Sequence, residues 1–133
     1  MILEGKNLIM NKRRGLIEKA LFSHAKKIKE DILGEKYLLS INFISPTFAK
    51  NLNIKYRDKT YTPNILSFPI SKKEGEIFIC LSVAKKEAKK FSLSYQNFVR
   101  LLLIHGCLHL KGLPHGEKME KEEEKYLKKF MLK

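Results

Sequence analysis

YQNFVRLLLIHGCLHLKGLPHG, Tyr95 to Gly116, holds three of the four histidines in the chain. Its centre, Leu101 to Ile104, is apolar on every side, and a helix apolar all round is a buried one. Ser92 or Ser94 opens this helix, and Gly112 and Pro114 stop it, so a buried helix over 95–112 is predicted. His105 and His109 are i and i+4 on it and point the same way from successive turns. Two imidazoles so placed can share one zinc ion. Gly112 tolerates the left-handed conformation that ends a helix, and Pro114 disfavours helical geometry at Leu113. The chain can therefore turn and return His115 to the same ion. Cys107, two residues from His105, lies about 200° around the helix and is expected in the core rather than on the metal.

A buried helix needs layers around it, and the rest of the chain supplies them. The first residues suggest a short strand. Asn11 is placed to cap a helix running to about Lys29, with Leu16, Ile17, Ala20, Leu21, Ala25 and Ile28 on one face. His24 on that helix is expected at the surface or its boundary. KYLLSINFISP alternates Leu39, Ile41 and Phe43 with Ser40 and Asn42, a strand ending at Pro46. Ser45-Pro46 is an N-cap and N1 pair for a short helix through TFAKNLNIKY. NILSFPI and GEIFICLS are two more strands, the first marked as an edge or terminus by Pro69. VAKKEAKKF is helical by composition. In the last helix Met119, Glu123, Tyr126, Phe130 and nearby Leu127 share a packing face, and the acidic run Glu122–Glu124 is assigned to the solvated face with lysine partners. No repeat, linker or low-complexity segment divides the chain. The expectation is one α/β (α+β) domain over 1–133, with a small mixed sheet covered by helices.

The 133 residues suit a single core. Twenty-seven Lys and Arg face fourteen acids, a net charge of +13, and such an excess favours polyanions, either nucleic acid or an anionic membrane surface. The N-terminus lacks the charged-then-apolar order of a signal peptide, and no stretch approaches the roughly 18 apolar residues of a membrane span. Cys80 and Cys107 both sit in apolar runs and read as buried thiols in a reducing compartment. A cytoplasmic protein without membrane attachment is expected, with a monomer as the working oligomeric state.

Three histidines leave one metal position open for water or substrate, whereas structural zinc sites are closed by four protein ligands and commonly use cysteine. The imidazole set also suits nickel. Peptidases built on H-E-x-x-H place a glutamate after the first histidine as general base. Here that position is Gly106, which accepts no proton. The spacing without the base argues against peptide hydrolysis.

These residues resemble the YbeY family of rRNA maturation factors, regarded as metal-dependent endoribonucleases. HGCLHLKGLPH matches the family pattern H-G-x-L-H-L-x-G-x-x-H at every specified position. LNIKYRDKTYTPNILSFP is similar to L-N-x-x-Y-R-x-K followed by a strand ending L-S-F-P, and GEIFIC to G-D-I-x-I-C. The likeness runs from about Leu52 to Met119, and the first 35 residues match only in layout. It implies a sheet of about four strands and one zinc ion on His105, His109 and His115, with water or substrate in the fourth place. It also implies a catalytic Arg57 in the same cleft. An arginine there stays charged, holds a phosphate with two donors and offsets charge developing on phosphorus. Asn64 and Ser67 are expected cleft or substrate contacts. Three departures stand out. Pro63-Asn64 replaces the usual Thr-Asp, Pro114 replaces an Asp before the third histidine, and Glu76 replaces the Asp of G-D-I. None removes a ligand.

The implied activity is zinc-dependent cleavage of single-stranded RNA in maturation of the 3' end of 16S rRNA and in ribosome quality control. The implied partners are rRNA and the small ribosomal subunit. Zinc would polarise a phosphoryl oxygen or supply hydroxide. Two alternatives come from other classes. One is a non-catalytic, zinc-containing assembly factor that binds rRNA. The other is a hydrolase of small molecules or peptides, against which Gly106 and the positive charge both count.

Overall fold

The computed structural model describes residues 2–5, 7–11 and 19–131. Strands β1 (Ile2–Gly5) and β2 (Leu8–Asn11) precede helix α1 (Lys19–Leu33) and strand β3 (Leu38–Phe43). Helix α2 (Pro46–Arg57), the strands β4 (Ile65–Ser71) and β5 (Glu74–Ile79), and helix α3 (Leu81–Ala88) with a 3-10 turn over Lys89–Phe91 come next. Helices α4 (Tyr95–Lys111) and α5 (Glu117–Phe130) complete the order. The strands form one mixed sheet, β1-β2-β3-β5-β4, in which β2, β3 and β5 are parallel and the outer pairings β1–β2 and β4–β5 are antiparallel.

The α/β class, the mixed sheet and the buried helix agree with the expectation, and the sheet has five strands among the described residues. The added strand lies at the N-terminus, where Asn7, at φ 61, turns the chain between β1 and β2. Asn11 is not a helix cap. It ends β2, and its Nδ2 donates to Asn42 Oδ1 across the parallel pair at 2.8 Å. Leu16 and Ile17 lie outside the described residues. Helix α1 continues past Lys29 to Leu33, because Ile32 extends the buried stripe of Ala25 and Ile28, and Gly34, at φ 94, follows its end. Lys29 is itself buried, with Nζ donating to the carbonyl of Glu35 at 2.7 Å. A polar residue in the apolar stripe hid the last turn of the helix.

Ser45 caps α2, its Oγ accepting from Phe48 N with Pro46 in the first turn, and Pro69 falls in β4, the strand at the sheet edge. One sheet face, with Leu8, Met10, Leu39, Ile41, Phe43, Ile77 and Ile79, is covered by α1, α3 and α4. Helix α4 is the centre of that layer, packed on α1, α3, α5 and the β4–β5 hairpin. Helix α2 lies on the opposite face, where Tyr56 meets Phe68 edge-on and Phe68 meets Phe78. No helix among the described residues is long and apolar enough to cross a membrane.

Candidate metal centre

Helix α4 starts at Ser94, whose Oγ accepts from Asn97 N at 3.1 Å. Phe98, Val99, Leu102, Leu103, Ile104, Cys107 and Leu108 fill its inner face. Cys107 is in the core, as expected, and burial pushes its thiol up to about 12. His24 is half-buried on α1 and accepts from Arg100 Nε of α4 at 3.0 Å, so it sits at the boundary and joins two helices.

His105 and His109 emerge on the flank of α4 beside β4. The helix then ends in a Schellman arrangement, with Gly112 at φ 110, Gly112 N donating to His109 O and Leu113 N donating to Leu108 O. Only a residue without Cβ adopts that φ cheaply. Pro114 follows, and the reversed chain delivers His115. His109 Nε2 lies 3.0 Å from His105 Nε2 and 3.1 Å from His115 Nε2. Tetrahedral ligation at about 2.05 Å separates nitrogen ligands by about 3.3 Å. The three imidazoles therefore fit one small cation, and among the described residues they are the group close enough to hold one. Burial, then the facing His105 and His115, lower His109 from 6.5 to about 4, while a backbone hydrogen bond with Leu113 and the Glu123 charge oppose the fall. Neutral imidazole is the form that binds metal.

Glu123, from α5, reaches His105 Nδ1 at 2.7 Å. A carboxylate oxygen only accepts, so Nδ1 carries the hydrogen and Nε2 keeps its lone pair for the ion. Glu123 thus leaves the solvated face assigned to the acidic run, while Glu124 stays there, paired with Lys128. The signal was available, since an acid shared the face of Met119 and Tyr126.

The histidines open on a cleft of about 300 Å³ that Arg57 and Ser67 also line, with Ile65, Leu66, Pro69 and Leu110 as its apolar walls. Arg57 is the last residue of α2. Its Nη1 donates to Asn53 Oδ1 at 3.3 Å and to Tyr61 Oη at 3.2 Å. Asn53 is fully buried and its Nδ2 donates to the Tyr61 carbonyl at 3.0 Å. Asp58, at φ 54, closes the helix, and Lys59 N donates to Asn53 O. One buried amide therefore ties the end of α2 to the following loop and holds the guanidinium. Asn64, just before β4, points elsewhere, its Nδ2 donating to Glu87 Oε2 of α3 at 2.8 Å, so it joins the start of β4 to α3.

Gly106 faces the sheet. A Cβ there would lie 2.9 Å from Ile77 Cδ1, 3.0 Å from Ile65 Cδ1 and 3.1 Å from Ser67 Oγ. Its lack of a side chain is a packing requirement that lets α4 approach β4 and β5, and a glutamate at this position would run into the sheet.

An α/β sheet that supports two helix-borne histidines and a third from the turn that follows, beside an arginine-lined cleft, defines a class with one candidate metal centre among the described residues. A family model described as "Endoribonuclease YbeY" matches residues 4–133. The chain belongs to the endoribonuclease YbeY family. It is 38% identical over 102 residues to Endoribonuclease YbeY of Polynucleobacter asymbioticus, a match covering 70% of this chain and 66% of that protein, just under two thirds. It is 33% identical over 128 residues to the protein of the same name from Persephonella marina, covering 88% of this chain and 83% of the relative. The fold is similar to the solution structure of TM1509 from Thermotoga maritima, with a TM-score of 0.65 and 22% identity over 92% of this chain and 87% of that one.

Proposed function

We propose that this chain is a zinc-dependent, single-strand endoribonuclease of the cytoplasm that acts on small-subunit rRNA, in maturation of the 16S 3' end and in ribosome quality control. The observation that carries this reading is that Arg57 lines the same cleft as three converging imidazoles. Relatives named Endoribonuclease YbeY support the reaction class. The charge of +13 supports a polyanionic substrate held largely through phosphates.

His105, His109 and His115 would hold the ion through Nε2. A bound zinc supplies Lewis acidity toward a phosphoryl oxygen. Arg57 binds the phosphate with two parallel donors and neutralises charge as it develops. Asn53 and the Tyr61 hydroxyl fix the direction of that guanidinium. Ser67 contributes a hydroxyl to the cleft wall, and Ile65, Leu66, Pro69 and Leu110 form its apolar part.

A second reading, a zinc-containing assembly factor that binds rRNA without cutting it, is favoured by one feature. Among the described residues no carboxylate lines the cleft, so no acidic side chain there serves as a general base. Cleavage of precursor rRNA by purified protein, with and without chelator, separates the two. His109→Ala and Arg57→Ala should abolish cutting, and either variant cutting as well as the wild type sinks the endonuclease assignment. Metal analysis of the same preparation tests zinc against nickel.

A further inference from the structure

Tyr61 is 53% exposed, yet both of its ends are tied. Its hydroxyl accepts from Arg57 Nη1 at 3.2 Å, and its carbonyl accepts from the buried Asn53 at 3.0 Å. An exposed tyrosine ordinarily keeps its rotamer freedom. This one is held by a hydrogen bond from Arg57 and not by burial. The ring is a flat, half-open surface held one hydrogen bond away from the guanidinium that lines the metal cleft. Lys59, two residues earlier, and Lys55, whose Nζ stands 5.2 Å from the Tyr56 ring, add positive charge to the same end of α2.

We infer that Tyr61 is a stacking platform for an unpaired nucleobase of the RNA whose phosphate Arg57 holds. This rests on the single-strand endoribonuclease reading and deepens it by naming the residue that selects unpaired nucleotides. Bases within a helix are stacked on their neighbours and offer no face to a protein ring. A base in a single strand can leave its stack and lie on an aromatic side chain, with little dependence on sequence. Because the ring is already ordered, stacking costs little further entropy. The ring therefore discriminates between paired and unpaired RNA at the nucleotide that enters the cleft, while the hydroxyl serves Arg57.

The test measures binding and cleavage of short single-stranded RNAs by the metal-loaded wild type, Tyr61→Phe and Tyr61→Ala. Tyr61→Phe keeps the ring but loses the hydroxyl that holds Arg57, so its binding should fall by less than that of Tyr61→Ala. Tyr61→Ala should bind about tenfold more weakly. A series of the same RNAs, each lacking one base, supplies the second arm. At one position the abasic RNA should weaken wild type about tenfold and leave Tyr61→Ala unchanged, the non-additivity expected of groups in contact. The inference is overturned if Tyr61→Ala binds as wild type does, if Tyr61→Phe loses as much as Tyr61→Ala, or if every abasic position weakens both proteins equally. Each of those outcomes leaves an active wild type, so the endoribonuclease reading survives it. A metal-loaded wild type that neither binds nor cuts any of the RNAs overturns both.

Discussion

Glu123 Oε1 on α5 lies 2.7 Å from His105 Nδ1 on α4, so the last helix of the chain orients the first of the three histidines. Both side chains are largely shielded, at 22% and 19% exposure, which limits screening of the contact by solvent. Partners of this kind orient a ligating imidazole and raise its basicity, and their loss typically lowers metal affinity 10- to 100-fold. Glu123→Ala should weaken zinc binding by about that factor in a chelator competition. Glu123→Gln, which still accepts from Nδ1 but is uncharged, should lose less. Equal affinity for all three proteins would show that the contact has no bearing on the metal.

Gly106→Ala sets two effects against each other. Alanine gains about 1 kcal/mol of helix propensity over glycine. The new methyl lies 2.9 Å from Ile77 Cδ1 on the fully buried inner face of the sheet, and overpacking costs typically 1–3 kcal/mol. The net expectation is a loss of about 1 kcal/mol, read as a lower urea midpoint with an unchanged slope. Gly106→Glu, which recreates H-E-x-x-H, should fail to fold stably and should yield no peptidase. A folded, stable Gly106→Glu protein would contradict the packing account.

Arg57→Lys keeps the charge and removes the fork. A lysine presents a compact ammonium that cannot replace two parallel donors on phosphate. Cleavage should fall about 100-fold, the scale of losing one aligned donor to a developing charge, while zinc content stays at the wild-type level. A variant that loses metal in parallel would place Arg57 in the support of the histidines instead.

Cys107 gives a pH dependence of definite sign. The folded thiol holds its proton to about 12, because burial opposes the thiolate, against an ordinary value of 9.0. Above pH 9 the unfolded chain therefore releases a proton that the folded chain keeps. The unfolded state binds fewer protons, so stability falls as pH rises between about 9 and 12, by at most about 1.4 kcal/mol per unit. Below pH 9 the thiol is neutral in both states and contributes no slope. Replacing it by Cys107→Ala removes this contribution, so the stability gap between wild type and variant should narrow across that window in urea titrations. A constant gap would mean that the thiol ionises alike in both states.

Much of the fold was legible in local pattern. Period-two alternation marked β3, Ser45-Pro46 marked the start of α2, Pro69 marked an edge or a terminus and lies in the edge strand, and the all-apolar stretch Leu101–Ile104 marked the buried helix. The first ends of the chain were less legible. Asn11 can cap a helix or end a strand with equal local ease, and its pairing with Asn42 decides which, across 31 residues of chain. Buried Lys29 concealed the last turn of α1 for a similar reason, since the carbonyl it needs belongs to Glu35 in the next loop.

The spacing of His105, His109, Gly112, Pro114 and His115 determined the candidate metal site by itself, because helix pitch and the left-handed glycine are local properties and require no other part of the chain. What surrounds that site depended on tertiary structure. Glu123 meets His105 only because α5 folds back along α4. Arg57 shares a cleft with the histidines only because the end of α2 comes to lie beside β4 and α4. Asn64 turns toward Glu87 of α3 and not into the cleft. These are contacts between groups on different elements, set by packing, and sequence spacing carries no record of which partner a polar side chain will find once the sheet and helices have come together.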